Sequence, residues 1–307
     1  MSRNQNHRVT ITNGLGNQLF QFAFAHYLTG IFETNISIEN KPVTVDSPDV
    51  KFLLNDLNNF CSHVDFRRHH AIGHISKLER FLYKSKLAYF WENFILNNLN
   101  YNKISETDFD LFKLPIEEMS KIRFSFEGFW QDWKFVESVK ISVMQDILSF
   151  LESKIDIATD HDNTLFKNLV IHVRRGDYLL PRFNGIFGVI KIESYLPIIT
   201  QIKLDNPGIH ITTLTDDFDL LKSENIKSDF GKIIDPRKSN PWEALKIMTQ
   251  ADYLITANSS LSWWGGYLCM NQGGIVYIPR PWYQGKQAPK IEKYLHPNFN
   301  TYDAIFH

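Results

Sequence analysis

The stretch Val170-Ile171-His172-Val173-Arg174-Arg175-Gly176-Asp177-Tyr178 sets two arginines at the end of an apolar run. Arginine is planar, permanently charged and able to fork onto phosphate oxygens. The run from Asn168 to Val173 reads as a buried strand that delivers these cations to a loop at its carboxyl end, the edge where open α/β sheets bind ligands. The chemistry implied is capture of a phosphorylated ligand, with a nucleotide as first choice. A salt-bridged strand end is the structural alternative. Further on, Tyr253 to Ala257 reads as a strand that turns through Asn258-Ser259-Ser260 into a helix carrying Ser262, Trp263, Trp264, Gly265 and Gly266. Free backbone N–H groups at a helix start, with serine hydroxyls beside them, form an anion site. The same serines also serve as helix caps.

Two weaker patterns flank these. Asn13-Gly14-Leu15-Gly16-Asn17-Gln18-Leu19 has the glycines of a dinucleotide-binding turn, but Leu19 stands where close helix–strand packing wants Gly or Ala. What survives is a turn whose glycines allow a ligand close to the backbone, with Asn17 and Gln18 at a helix start. A plain tight turn capped by asparagine is the alternative. Leu214-Thr215-Asp216-Asp217-Phe218-Asp219 offers an Asp-x-Asp spacing that could hold a metal. Carboxylates between a strand and a helix are commonly caps and turn residues, so no metal site is expected there. No P-loop, zinc-ligand or serine-hydrolase signature occurs.

The elements that must position these residues fall into two halves. A strand at Arg8–Thr12, the glycine turn and an apolar helix over Leu19–Phe32 open the first. Arg80 to Tyr101 is crowded with aromatics, read either as packing or as a sugar-stacking wall. A strand over Ile122–Phe129 runs into Trp130-Gln131-Asp132-Trp133, and one amphipathic helix is expected over Phe135–Ile155, with Ile141, Met144, Ile147, Leu148 and Leu151 on its apolar face. The polar stretch Asp156 to Asn163 reads as a linker. Beyond it, strands at 168–173, 209–215, 252–257 and 274–279, the last in the chain, alternate with helices near 192–204 and from Leu261. Alternation of this kind implies a parallel sheet with helices on both faces. We therefore expect domains over residues 1–158 and 165–307.

The 307 residues suffice for two domains, and 43% hydrophobic with 22% charged residues is ordinary globular composition. A formal net charge of −1 gives no bulk attraction for nucleic acid. The two cysteines, Cys61 and Cys269, make no disulfide framework. No leader-like apolar core and no run of about 18 apolar residues is present. The expectation is a cytoplasmic protein, with peripheral association at the inner membrane surface.

Four segments resemble the α-1,2-fucosyltransferase family in its bacterial branch: Asn13 to Gln21, Gly128-Phe129-Trp130-Gln131, His172 to Tyr178, and Ala257 to Trp264. The resemblance implies a GT-B-type fold, two Rossmann-like α/β domains with parallel sheets facing across a cleft. It implies a GDP-fucose donor, inversion at the anomeric carbon, no divalent metal or other cofactor, and a galactose-terminated oligosaccharide acceptor, lipid-linked in some pathways. Carried over residue by residue, it makes Arg174 a ligand of the donor diphosphate and Arg175 a positioning residue. Ser259, Ser260 and Ser262 become phosphate-side hydroxyls, with Asn258, His172, Asp216, Asn13, Gly14, Gly16 and Asn17 on the donor side. Trp130 and Gln131 fall on the acceptor side. Asp177 is the first candidate for general base and Glu127 the second. Residues 34–110 match no family pattern and are expected to shape the acceptor pocket. Two alternatives stay open, a fucosyl transfer of another linkage and a non-catalytic nucleotide- or sugar-binding protein.

Overall fold

The computed structural model describes residues 7–40, 53–61, 64–67, 101–110, 122–155, 166–218, 227–235, 240–285 and 291–307. The aromatic stretch 80–100, the expected linker 156–163 and Asp219 lie outside these residues. The chain divides into Met1–Phe150 and Leu151–His307, a boundary earlier than the composition of the linker suggested.

The first unit is built on a parallel sheet. Strands β1 (Arg8–Ile11), β2 (Ile36–Asn40), β3 (Val64–Arg67), β4 (Tyr101–Ser105) and β5 (Arg123–Glu127) run in the order β3-β2-β1-β5-β4. Helix α1 (Leu15–Phe32) begins four residues earlier than expected, so Gly16, Asn17 and Gln18 lie in its first turn and Gly14 is the N-cap. The amide pattern that reads as a turn is explained by burial. Gln18 Nε2 donates to Asn13 O at 2.6 Å, and Gln21 Nε2 donates to Gly128 O at 2.8 Å while its Oε1 accepts from Thr12 N at 2.9 Å. Gln21 thus ties the carboxyl end of β1 to the residue following β5.

The single helix expected over Phe135–Ile155 is two: α2 (Trp133–Ser138) and α3 (Lys140–Lys154), separated at Val139. The buried stripe of α3 is Val143, Asp146, Ile147, Phe150 and Leu151 at helical spacing. Ile141, placed on the apolar face by the sequence, is 84% exposed.

The second unit carries β6 (Asn168–Val173), β7 (His210–Thr215), β8 (Lys232–Ile234), β9 (Tyr253–Ile255), β10 (Ile275–Arg280) and β11 (Asn300–Asp303), all parallel, in the order β11-β10-β9-β6-β7-β8. Read from β8, this is the dinucleotide-fold order, which reverses direction between β6 and β9. β6 is a near-continuous apolar run because both its faces are covered. Its Leu169, Ile171 and Val173 pack in one cluster with Ile199 and Ile202. The last two residues belong to α5 (Leu196–Asp205), which follows the short α4 (Pro181–Asn184). Beyond α6 (Lys227–Phe230), α7 (Pro241–Thr249) starts in a capping box between Asn240 and Glu243 with proline at its first turn. α8 (Ser260–Asn271) packs against α7 and β10 through its glycine pair. A Cβ on Gly265 would meet Met248 Cβ at 2.7 Å, and one on Gly266 would meet Val276 Cγ1 at 3.0 Å. The strand β10, expected to be last, is followed by β11 at the sheet edge. Two successive units of parallel sheet and helix are what the GT-B-type expectation requires of the chain.

Candidate functional site

In a doubly wound sheet the ligand crevice lies outside the carboxyl ends of the strands, where the strand order reverses. In the second unit that point is β6/β9, and the residues leaving β6, β7 and β9 are Arg174–Tyr178, Asp216–Asp217 and Thr256–Ser260. The two arginines and the serine turn, 80 residues apart, therefore meet at one edge. A direct link joins them: Tyr178 Oη donates to Asn258 O at 3.1 Å.

Arg174 is held between two carboxylates. Its Nη1 lies 2.7 Å from Asp216 Oδ2 and its Nη2 lies 2.6 Å from Asp177 Oδ1. Partial burial works against the charge, but Asp216 and Asp177 outweigh it and hold the guanidinium above its ordinary pKa. The side chain keeps 31% of its surface exposed, so the cation remains open to a ligand. Asp216 has a second task. Its Oδ1 accepts from Arg175 N at 2.7 Å and from Gly176 N at 3.1 Å, clamping the arginine loop to the end of β7. Only glycine permits this, because a Cβ at position 176 would lie 2.5 Å from Asp216 Oδ2. Arg175 is buried and lies 3.8 Å from Asp217 Oδ2, the arrangement of a positioning residue.

His172, on β6 below the loop, is buried, with Nδ1 making no hydrogen bond. Burial, with a smaller push from Arg174 and against the pull of Asp216, lowers its pKa to about 4. It is therefore a neutral imidazole at neutral pH.

The serines divide. Ser259 is the N-cap of α8 and its side chain makes no capping bond, while Ser260 is half-buried in the first turn. Both stand at the helix start with their hydroxyls uncommitted to the cap. Ser262 is fully buried, and its Oγ accepts from Ala257 N at 2.8 Å. This corrects the expectation of a phosphate-side hydroxyl at Ser262, which instead closes the turn from beneath. Asn258 also points inward, donating from Nδ2 to Phe187 O at 2.9 Å.

The first unit repeats the plan at its own reversal point, β1/β5. Asn13 adopts φ 64, Gly14 is exposed with open space where a Cβ would be, and Gly16 is buried. Gln131 Nε2 donates to Asn17 Oδ1 at 2.6 Å, joining the two sequence-predicted polar residues across the switch point. Trp130 does not join them. It is 1% exposed and stacks on Phe24 with centroids 3.8 Å apart and planes at 3°. The expectation of acceptor contact by Trp130 is thereby corrected to core packing. Its backbone has φ 55, and the N–H groups of Phe129 and Trp130 are both held by Glu106 Oε2, at 2.8 and 3.1 Å. Glu127 is paired with Lys103 at 2.7 Å, an ion pair rather than a poised base.

Sequence reasoning missed the clamp role of Asp216, the Tyr178 link and the Glu106 support. It also missed a convergence of His26, Cys61 and Asp146. Tyr178 was visible beside the arginines, whereas the other contacts join residues distant in sequence and leave no local pattern.

A Rossmann-like sheet that presents an arginine and a helix start at its switch point has the layout on which α/β enzymes hold anionic ligands. The chain belongs to glycosyl transferase family 11, whose family model matches residues 7–302. It is 26% identical over 295 residues to an alpha-1,2-colitosyltransferase of Escherichia coli, covering 92% of this chain and 94% of that protein. It is 24% identical over 309 residues to the O-antigen biosynthesis glycosyltransferase WbnK of Escherichia coli, covering 92% and 96%. Among solved structures it is similar to NodZ alpha-1,6-fucosyltransferase soaked with GDP-fucose, at 12% identity and TM-score 0.47, covering 86% of this chain and 93% of that one. Among the described residues no helix is long and apolar enough to cross a membrane.

Proposed function

We propose that this glycosyltransferase moves L-fucose from GDP-β-L-fucose to the 2-hydroxyl of a terminal β-galactose, with inversion, in building O-antigen or a similar surface glycan. The observation that carries the reading is Arg174, partly exposed between Asp216 and Asp177 at the switch point where α8 also begins. The galactose oxygen attacks C1 from the face opposite GDP. The C1–O bond to the β-phosphate breaks, the electron pair leaves with GDP, and the hydroxyl proton passes to a base or to water. The transition state is oxocarbenium-like. Charge growing on the β-phosphate is met by Arg174 and by the N–H groups and hydroxyls at Ser259–Ser260. The family resemblance assigns Asn13, Gly14 and Asn17, at the first unit's own sheet edge, to the donor and Gln131 to the acceptor. Asp177, exposed and 2.6 Å from Arg174, is the base this arrangement favours.

The name of one relative favours a second reading. Colitose is L-fucose without its 3-hydroxyl, so an α-1,2-colitosyl transfer would use the same phosphate site and differ only around C3 of the donor sugar.

GDP release would be followed with GDP-fucose and with GDP-colitose, in EDTA, over lactose, N-acetyllactosamine and Galβ1,3GalNAc. Acceptor-dependent turnover with GDP-fucose is expected. Arg174→Ala should lower kcat by about 10²–10³-fold, the usual loss of one donor to developing charge. Turnover with GDP-colitose alone would replace the first reading by the second. Loss of turnover in EDTA that magnesium or manganese restores would overturn the metal-independent chemistry. GDP binding without turnover on any acceptor would move the reading to a binding protein.

A further inference from the structure

The first unit contains a cluster that neither donor nor acceptor chemistry uses. His26 comes from α1, Asp146 from the buried stripe of α3, and Cys61 follows the 3₁₀ turn Leu53–Asn59. His26 Nε2 lies 3.5 Å from Cys61 Sγ and 3.4 Å from Asp146 Oδ2, and the three atoms lie within 4.8 Å of one another. His26 and Asp146 are 5% and 8% exposed, while Cys61 is half-buried.

Three physical points bear on what this cluster is for. First, an imidazole nitrogen carries either one hydrogen or one lone pair, so it makes one in-line hydrogen bond. Here a thiol and a carboxylate converge on the same nitrogen, as two ligands of one ion do. Second, zinc bonds run about 2.0–2.1 Å to histidine, about 2.3 Å to cysteine and about 2.0–2.2 Å to carboxylate. A tetrahedron with such arms has edges of roughly 3.3–3.8 Å, the range into which both measured separations fall. Third, one thiolate, one carboxylate and one neutral imidazole balance a divalent charge. A neutral complex avoids the cost of burying an unpaired ion.

We propose that His26 Nε2, Cys61 Sγ and Asp146 Oδ2 form a three-ligand site for a zinc-type divalent cation, with water in the fourth position. Binding replaces the Cys61 S–H bond by a metal–sulfur bond and releases that proton to solvent. The half-buried side of Cys61 is the entry path. The metal acts as a staple, joining α1, the segment after the 3₁₀ turn and α3. Its chemistry is independent of the Arg174 site, so the failure of either proposal leaves the other standing.

The test uses the full chain, stripped with chelator, re-equilibrated with zinc and desalted. Elemental analysis should find about one zinc per chain. Cys61→Ser and Asp146→Asn should each weaken zinc at least about 10–100-fold, while their circular dichroism stays that of wild type. Cobalt(II) in place of zinc should give a thiolate charge-transfer band that Cys61→Ser abolishes and Cys269→Ser retains. Cys269 is a suitable control because burial, with Asp252 adding to it, pushes its thiol up to about 12. Wild-type metal content in Cys61→Ser, or no thiolate band with cobalt in the wild type, would overturn the site. Chelator should lower the thermal midpoint of wild type but not of Asp146→Asn, and an equal shift in both would overturn the staple.

Discussion

A diphosphate would compete with two carboxylates for Arg174, and the structure indicates which carboxylate is the freer to give way. Asp216 is fixed through Oδ1 to the N–H groups of Arg175 and Gly176. Asp177 sits in the short turn Gly176–Leu179 with 44% of its side chain exposed. Donor binding should therefore displace Asp177 from Arg174 and free it to take the acceptor proton. The perturbation that isolates this step is Asp177→Asn. The Arg174–Asp177 pair is exposed by 31% and 44% on its two sides, and pairs of that kind are worth about 0.2–1 kcal/mol. Removing the competing charge should leave the dissociation constant for GDP unchanged or tighten it, by no more than about fivefold. If Asp177 is the base, kcat falls by about 10²–10⁴-fold at the same time. Calorimetric GDP binding, run beside initial rates over a range of donor concentrations, separates the two effects. GDP binding weakened tenfold or more in Asp177→Asn would refute the reasoning, because it would show that Asp177 organises Arg174 for the donor. Unchanged kcat would remove Asp177 as base and leave the proton to solvent.

Three further outcomes concern the serine turn and the buried histidines. Ser262→Ala strands the Ala257 N–H under the turn and should cost about 1–3 kcal/mol of stability, seen as a lower thermal midpoint. Ser260→Ala should leave that midpoint nearly unchanged and lower kcat/KM by roughly 10–100-fold, the worth of one hydrogen bond to a charged group; the reverse pattern would exchange the roles given to the two serines. Acid should destabilise the fold through His7 and His172, both pushed from 6.5 to about 4, chiefly by burial. The unfolded chain takes up these protons first, so their contribution is complete above pH 6.5 and is lost as pH falls towards about 4. Urea midpoints should drop between pH 7.5 and 5, and a rise on acidification would contradict the buried neutral histidines.

Much of the second unit was legible because its strands are buried on both faces. Asn168–Val173 reads as a largely apolar run and forms β6 over the same residues. The arginines and serines were legible as chemistry, because charge and small hydroxyls at strand ends have few structural uses in such numbers. What failed to show was anything decided by distant partners. Gly14 to Gln18 looks polar and turn-like, yet Gln18 is buried because its amide finds Asn13 O within the fold. Ile141 satisfies a helical pattern with Ile147 and Leu151, but it falls in the first turn of α3, where it is left at the surface. β11 has no apolar signature since only Tyr302 of its four residues is buried. The Asp216 clamp spans 41 residues, and no local rule distinguishes such a carboxylate from a turn residue. Trp130 illustrates the opposite error, an aromatic near a motif that serves the core.

The late strand β11 bears on how the donor site comes into being during synthesis. Tyr302 Oη donates to Thr256 O at 2.7 Å, directly beneath the serine turn, and among the described strands β11 pairs only with β10. The serine turn thus acquires the Tyr302 hydrogen bond only when the ribosome has delivered residue 302, although its own residues emerge some forty positions earlier. Parallel sheets closed by such distant contacts assemble slowly. A nascent chain stalled before β11 would present Ser259 without the Tyr302 hydrogen bond behind its turn, while the Asp216 clamp on the arginine loop is already complete. The fixed geometry of this turn is accordingly a late-acquired property, gained at completion of the sheet.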